Sequence, residues 1–211
     1  MSTQDSIKKL IQHGKGASVE FILQSAIEQS QRNYKPIVND KTLNERTITK
    51  RLAQRYRQEK QNIENALARE AEQAVANDRH DYLALFGTAG LNGDAASLAI
   101  SRRDASDRVA AISDARELSN LLARSTRSGD EQLARACAER AMELGNADVI
   151  NQFTSTRPDL EDTAQRVWQV NAEEPSVAQM FAVTGLMSGI KPAEIANIPD
   201  YKIDAVADAE D

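Results

Sequence analysis

The residues with the clearest chemical potential stand between positions 46 and 60: Arg46, Lys50, Arg51, Arg55, Arg57 and Lys60, with Glu59 the one acid among them. Cations at this density attract phosphates, carboxylates or an anionic protein surface. Their spacing discriminates between these. At about 100° per residue, Ile48, Leu52, Tyr56, Ile63, Ala66, Leu67 and Ala74 fall within one arc of a helix. The cations divide around that arc. Arg46, Lys50 and Arg57 cluster on one flank with Lys60 close by, and Arg51 and Arg55 lie on the other. Basic side chains beside an apolar stripe lay their stems along it and keep their heads in water. The stripe itself wants covering. The predicted partner-binding set is therefore Arg46, Lys50, Arg51, Leu52, Arg55, Tyr56, Arg57 and Lys60. A protein partner is expected, a second copy of the chain included. Nucleic acid is the alternative, gripped by residues 32–60. Single-strand binding calls for several aromatics to stack on bases, and only Tyr34 and Tyr56 are near.

Elsewhere the chemistry is sparse, and no catalytic, cofactor or metal site is predicted. His13 and His80 have no His, Asp or Glu three or four positions away, so neither forms a helical metal pair. "NDRHDY" (77–82) reads as a solvated helix end. Cys137 aligns with Leu133, Ala141 and Leu144, as a small core residue would. One cysteine excludes an internal disulfide and a cysteine-based zinc cluster. The glycine-containing "HGKG" and "GTAGLNG" lack phosphate-loop spacing and follow no strand. "SGIKPAEIANIPDYKIDAVADAED" could form two short helices in helix-turn-helix order. The second would carry Asp204, Asp208, Glu210 and Asp211 against Lys202 alone, and phosphates would repel it. An acidic tail that frays, or docks on a basic surface, fits better.

These side chains need elements to hold them. The chain has 211 residues, 41% apolar and 27% charged, with 4% aromatics, 9 Gly and 5 Pro. Alanine, Glu, Gln, Arg and Leu favour helices, and no stretch alternates apolar and polar as a strand would. The fold class is all-α. Asp5 is the expected cap of a first helix ending at Gly14. Val19, Ile22, Leu23, Ala26 and Ile27 mark a second, starting at Ser18 and interrupted by Pro36. Residues of about 42–78 contain neither Gly nor Pro and predict one amphipathic helix, roughly 50 Å long at 1.5 Å per residue. A compact globule of this size would be about 45 Å across. The helix is thus expected to project or to pack on another chain.

Residues 87–94 are the expected glycine-rich hinge, separating an N-terminal helical region (1–86) from a C-terminal bundle of short helices or an α-solenoid-like array (95–198). Its predicted helices begin at Asp104, at a Ser128–Glu131 capping box, at Pro158 and at Pro175; the last carries Val177, Met180, Phe181 and Thr184. "GDAASLA" and "GDEQLA" lie 36 residues apart, near the period of helical hairpin repeats. Residues 199–211 are the acidic tail.

Charge follows position: residues 1–60 carry 12 Lys and Arg against 6 Asp and Glu, while residues 161–211 carry 3 against 10. Opposite ends either join copies head to tail or fold against each other. No apolar run reaches the roughly 18 residues that span a bilayer, and the N-terminus lacks an apolar signal core. No membrane partner is predicted, and the expected location is the cytoplasm or a particle assembled there. A helical, aromatic-poor chain without catalytic groups has the make-up of assembly proteins, such as scaffolding or minor structural components of a phage virion. The expected function is non-enzymatic assembly through a helix.

Overall fold

A computed structural model describes residues 2–172 and 175–209. Helices follow one another in the order α1 (Thr3–Gln12), α2 (Gly16–Val38), α3 (Glu45–Phe86), α4 (Ala95–Ala110), α5 (Ala115–Ser128), α6 (Glu131–Glu143), α7 (Ala147–Ser155), α8 (Glu161–Ala172), α9 (Val177–Ser188) and α10 (Asp200–Ala207). Short 3₁₀ turns at Pro158–Leu160 and Ala193–Ile195 complete the set, and no strand occurs among the described residues. The protein is all-α.

Local chemistry explains the helix starts. Ser2 and Asp5 form a reciprocal capping box ahead of α1, so Ser2 is the cap and Asp5 its third-position partner. Asp94, Asp114 and Asp130 each accept backbone N–H groups at the starts of α4, α5 and α6. The similarity of "GDAASLA" and "GDEQLA" therefore includes the same cap in both. The expected box on Ser128 is not formed: the Ser128 hydroxyl donates to the Ser125 carbonyl, and Gly129, at φ +72°, ends α5 in the left-handed conformation. The helix predicted to begin at Asp104 starts earlier, behind the Asp94 cap, and ends at Ala110, after which Asp114 caps a new one. Pro36 does not interrupt α2, which continues to Val38. So near the helix end, the ring deletes only one of the last backbone hydrogen bonds.

The chain divides into two compact units, Met1–Ala74 with Glu174–Asp211, and Val75–Glu173. The division does not fall at residues 87–94. It falls within α3, whose first thirty residues belong to the first unit and whose last twelve belong to the second. Helix α3 thus supplies residues to two cores. "NDRHDY" is mid-helix, and Leu85 and Phe86 beyond it are fully buried in the second unit.

In the second unit, α4, α5 and α7 pack on α6, and α7 packs on α8. Leu118, Leu122, Cys137 and Phe153 fill the centre. The Arg135 guanidinium is buried and donates to the Gly87 and Ala84 carbonyls at 2.7 and 3.3 Å, satisfying the end of α3. Glu131 holds Arg135 at 3.1 Å and Arg157 at 2.6 Å. Residues 87–94 are thereby anchored to α6 at their start. A side chain at Gly87 would place Cβ 2.3 Å from the Leu83 carbonyl oxygen, so the chain needs glycine there. Cys137 has no exposed surface, and burial pushes its thiol up to about 12. Native protein at pH 8 is expected to resist iodoacetamide, with full labelling only in denaturant; rapid native labelling would contradict this burial.

In the first unit, α2 packs on α1 and α9. Leu10, Val19, Leu23, Leu52, Leu67 and Ile195 are fully buried. The acidic tail is not frayed: α10 buries Ile203 and Ala207 in this core. Glu210 and Asp211 lie outside the described residues.

Candidate functional site

The basic segment is built around the apolar stripe of α3. Leu52, Tyr56, Ile63, Leu67 and Ala74 are all buried within the first unit, joined by Ala53 and Ala71; Ile48 is half-buried and Ala66 exposed. The stripe is covered by the chain's own segments. This corrects the expectation that Leu52 and Tyr56 await another molecule.

The two flanks have separate destinations. On one, Arg55 pairs with Glu59 at 2.9 Å, and Glu59 accepts a 2.6 Å hydrogen bond from the Asn33 amide of α2. Glu59 sits on the stripe but is satisfied there, so it joins α3 to α2 rather than disrupting their contact. Arg51, on this flank, contributes to holding the Asp40 carboxyl low, after hydrogen bonds from Thr42. On the other flank, Arg57 pairs with Asp208 at 3.0 Å and Asp204 at 3.6 Å, and Lys60 pairs with Asp200 at 2.9 Å. Gln54 donates to the Ala207 carbonyl at 2.9 Å. Arg46 is exposed and Lys50 half-buried, and each makes polar interactions. The basic head and acidic tail meet within one chain, as one of the two readings of the charge asymmetry requires.

Asp200 is the centre of this cluster. Lys60 and Lys191 both donate to its carboxylate, at 2.9 and 3.0 Å, and the Tyr56 hydroxyl donates at 3.2 Å. Lys191 also donates to the Ile198 carbonyl, and its ammonium lies 5.6 Å from the centre of the Tyr56 ring. Burial raises the Asp200 carboxyl, but the two ammonium groups outweigh it and hold the carboxyl at about 2. The ionised form is the one the fold prefers. Its contribution to stability is whole above 3.8, the unfolded value, and is lost as pH falls toward about 2. Asp200→Asn is therefore expected to lower the urea midpoint at pH 7 and to shrink the loss between pH 4 and pH 2. An unchanged acid limb in this variant would contradict the assignment.

A second feature was not legible as a site. Helix α9 has no charged side chain, and none occurs from 177 to 190. A helix apolar on all sides ordinarily sits buried. Here Val183 is the one fully covered position among its described residues, with Met180, Leu186 and Met187 partly buried beside it. Val177 and Phe181 are each 74% exposed. Of the four residues the predicted helix carries, Met180 is partly buried and Val177, Phe181 and Thr184 face solvent. At 100° per residue, Val177, Ala178, Phe181, Ala182, Gly185 and Ser188 occupy an arc of about 140°, and all six are exposed. The signal available in the sequence was the missing charge over 177–190, not any periodicity.

Among the described residues no group of three or more His, Cys, Asp or Glu could hold a metal ion, and no helix is long and apolar enough to cross a membrane. No family model, curated protein or solved structure matches the chain.

Proposed function

We propose that the protein is a non-enzymatic assembly protein, and that copies of it join through the outward face of α9. The observation that carries this reading is the 74% exposure of Val177 and Phe181 on a helix without charge. Large apolar groups left in water gain about 1.5–3 kcal/mol each when covered. The face also suits a copy of itself. Phe181 and Val177 stand among Ala178, Ala182 and Gly185, and a Cβ built on Gly185 meets nothing within 4 Å. In a two-fold arrangement the bulky residues of one copy can seat over the small ones of the other. With no charges on the helix, like charges do not oppose one another across the axis.

This reading keeps assembly through a helix and moves the contact surface from the basic segment to α9. The alternative, nucleic-acid binding through residues 32–60, is weakened by the carboxylates already on Arg57 and Lys60. Binding phosphate there would first displace the chain's own tail.

A cysteine at Ala178 tests the proposal, since Cys137 is buried. Mild oxidation should yield a disulfide-linked dimer, and an exposed control at Asp107 should not. Equal crosslinking at both positions, or none at Ala178, would overturn it.

A further inference from the structure

We propose that the first unit holds a binding site for an amphiphilic anion, a carboxylate head on an aliphatic chain, in the cavity between α3, α9 and the segment leading into α10. The cavity has a volume of about 510 Å³ and is open to solvent on one side. Small-ligand sites are concave, mostly apolar and furnished with a few placed polar groups, with volumes of about 300–1,000 Å³. Ile63, Met187, Ile190 and Ala196 provide apolar wall, and Tyr56, Lys60, Lys191 and Asp200 gather on its lining as the polar group.

The sign of the ligand follows from that group. Two ammonium ions share one carboxylate, with Lys60 at 2.9 Å and Lys191 at 3.0 Å from Asp200. The cluster keeps one positive charge in excess. Glu64 acts on Tyr56 together with Asp200, but does not line the cavity. An ammonium has three N–H donors; Lys191 gives one to Asp200 and one to the Ile198 carbonyl and Lys60 gives one to Asp200, so a second carboxylate can be taken by two donors of Lys60 and one of Lys191. The Thr184 and Ser188 hydroxyls at the rim donate to the Met180 and Gly185 carbonyls of their own helix. The two lysines are thus the donors available to a ligand head. A neutral or cationic head would leave the excess charge uncompensated, and a head without a chain would leave the apolar wall wet. Val177 and Phe181 do not line the cavity, whereas Thr184 and Ser188, on the same side of α9, form its rim.

The test is calorimetric titration of the whole chain with decanoate, decanol and decyltrimethylammonium, each below its micelle concentration. Decanoate should bind at one site per chain, and decanol about tenfold more weakly or worse, the equivalent of one hydrogen bond to a charged group. The cation should not bind. Lys60→Gln, at a side chain 38% exposed, should bring decanoate binding down to that of decanol while leaving decanol unchanged. Ala196→Phe fills the cavity from its exposed rim without touching a charge, and should abolish both. Circular dichroism melts establish that each variant folds; should Lys60→Gln fail to fold, the comparison of heads on the unaltered chain decides. Absence of decanoate binding, decanol binding as tightly as decanoate, or binding unaffected by Ala196→Phe would each overturn the proposal.

Discussion

Phe181→Asp is expected to abolish self-association and to leave the fold intact. Position 181 is 74% exposed, so a charge there meets water in the separated chain and costs the first unit little. In the proposed dimer the same carboxylate would be buried against apolar side chains of a second copy, twice over because of the two-fold axis. Central aromatic residues at interfaces are worth about 2 kcal/mol or more on truncation alone. The dissociation constant should rise at least about 30-fold. Sedimentation velocity with a helical circular dichroism spectrum separates the outcomes. A variant that folds and still associates as the unaltered chain does would show that α9 is not the contact.

Removing α10 is expected to have the largest effect on stability. Ending the chain at Pro199 takes away the buried Ile203 and Ala207 and three carboxylates that hold Arg57, Lys60 and Lys191. Loss of one buried isoleucine costs about 2–5 kcal/mol by itself. The first unit should lose at least about 3 kcal/mol. The second has its own core, with Trp168 packed against it, and the fluorescence transition of that residue should not move. The uncovered cations should also raise retention on an anionic resin at low salt, and salt should reverse it. Unchanged urea unfolding and unchanged retention would together contradict the role given to α10 as the cover of the basic segment.

Much of this architecture was legible in the sequence for physical reasons. The helical class follows from Ala, Glu, Gln and Arg in quantity and from the scarcity of strand formers. The two flanks of the basic segment follow from geometry, since a wheel at 100° per residue separates Arg55 from Arg57 whatever covers them. Their separate partners, Glu59 on one side and Asp208 on the other, confirm the separation. Three things were hidden. The boundary between the units lies inside α3, after Ala74, and an uninterrupted helix carries no glycine or proline to mark it. The carboxylates facing Arg57 and Lys60 come from 140 residues and more along the chain, a distance over which only the gross charge asymmetry gave warning. The outward face of α9 was missed because a helix apolar all round has no preferred side; which residues face outward is decided by what α2 and α3 leave uncovered.

Sedimentation equilibrium of the unaltered chain over a wide concentration series, at low and at high salt, tests the central claim most directly. The account predicts a monomer–dimer equilibrium that salt leaves unchanged or slightly strengthens, because the face on α9 is uncharged and apolar burial is favoured by salting out. A chain that stays monomeric at every concentration, or an association that salt dissolves, would contradict it.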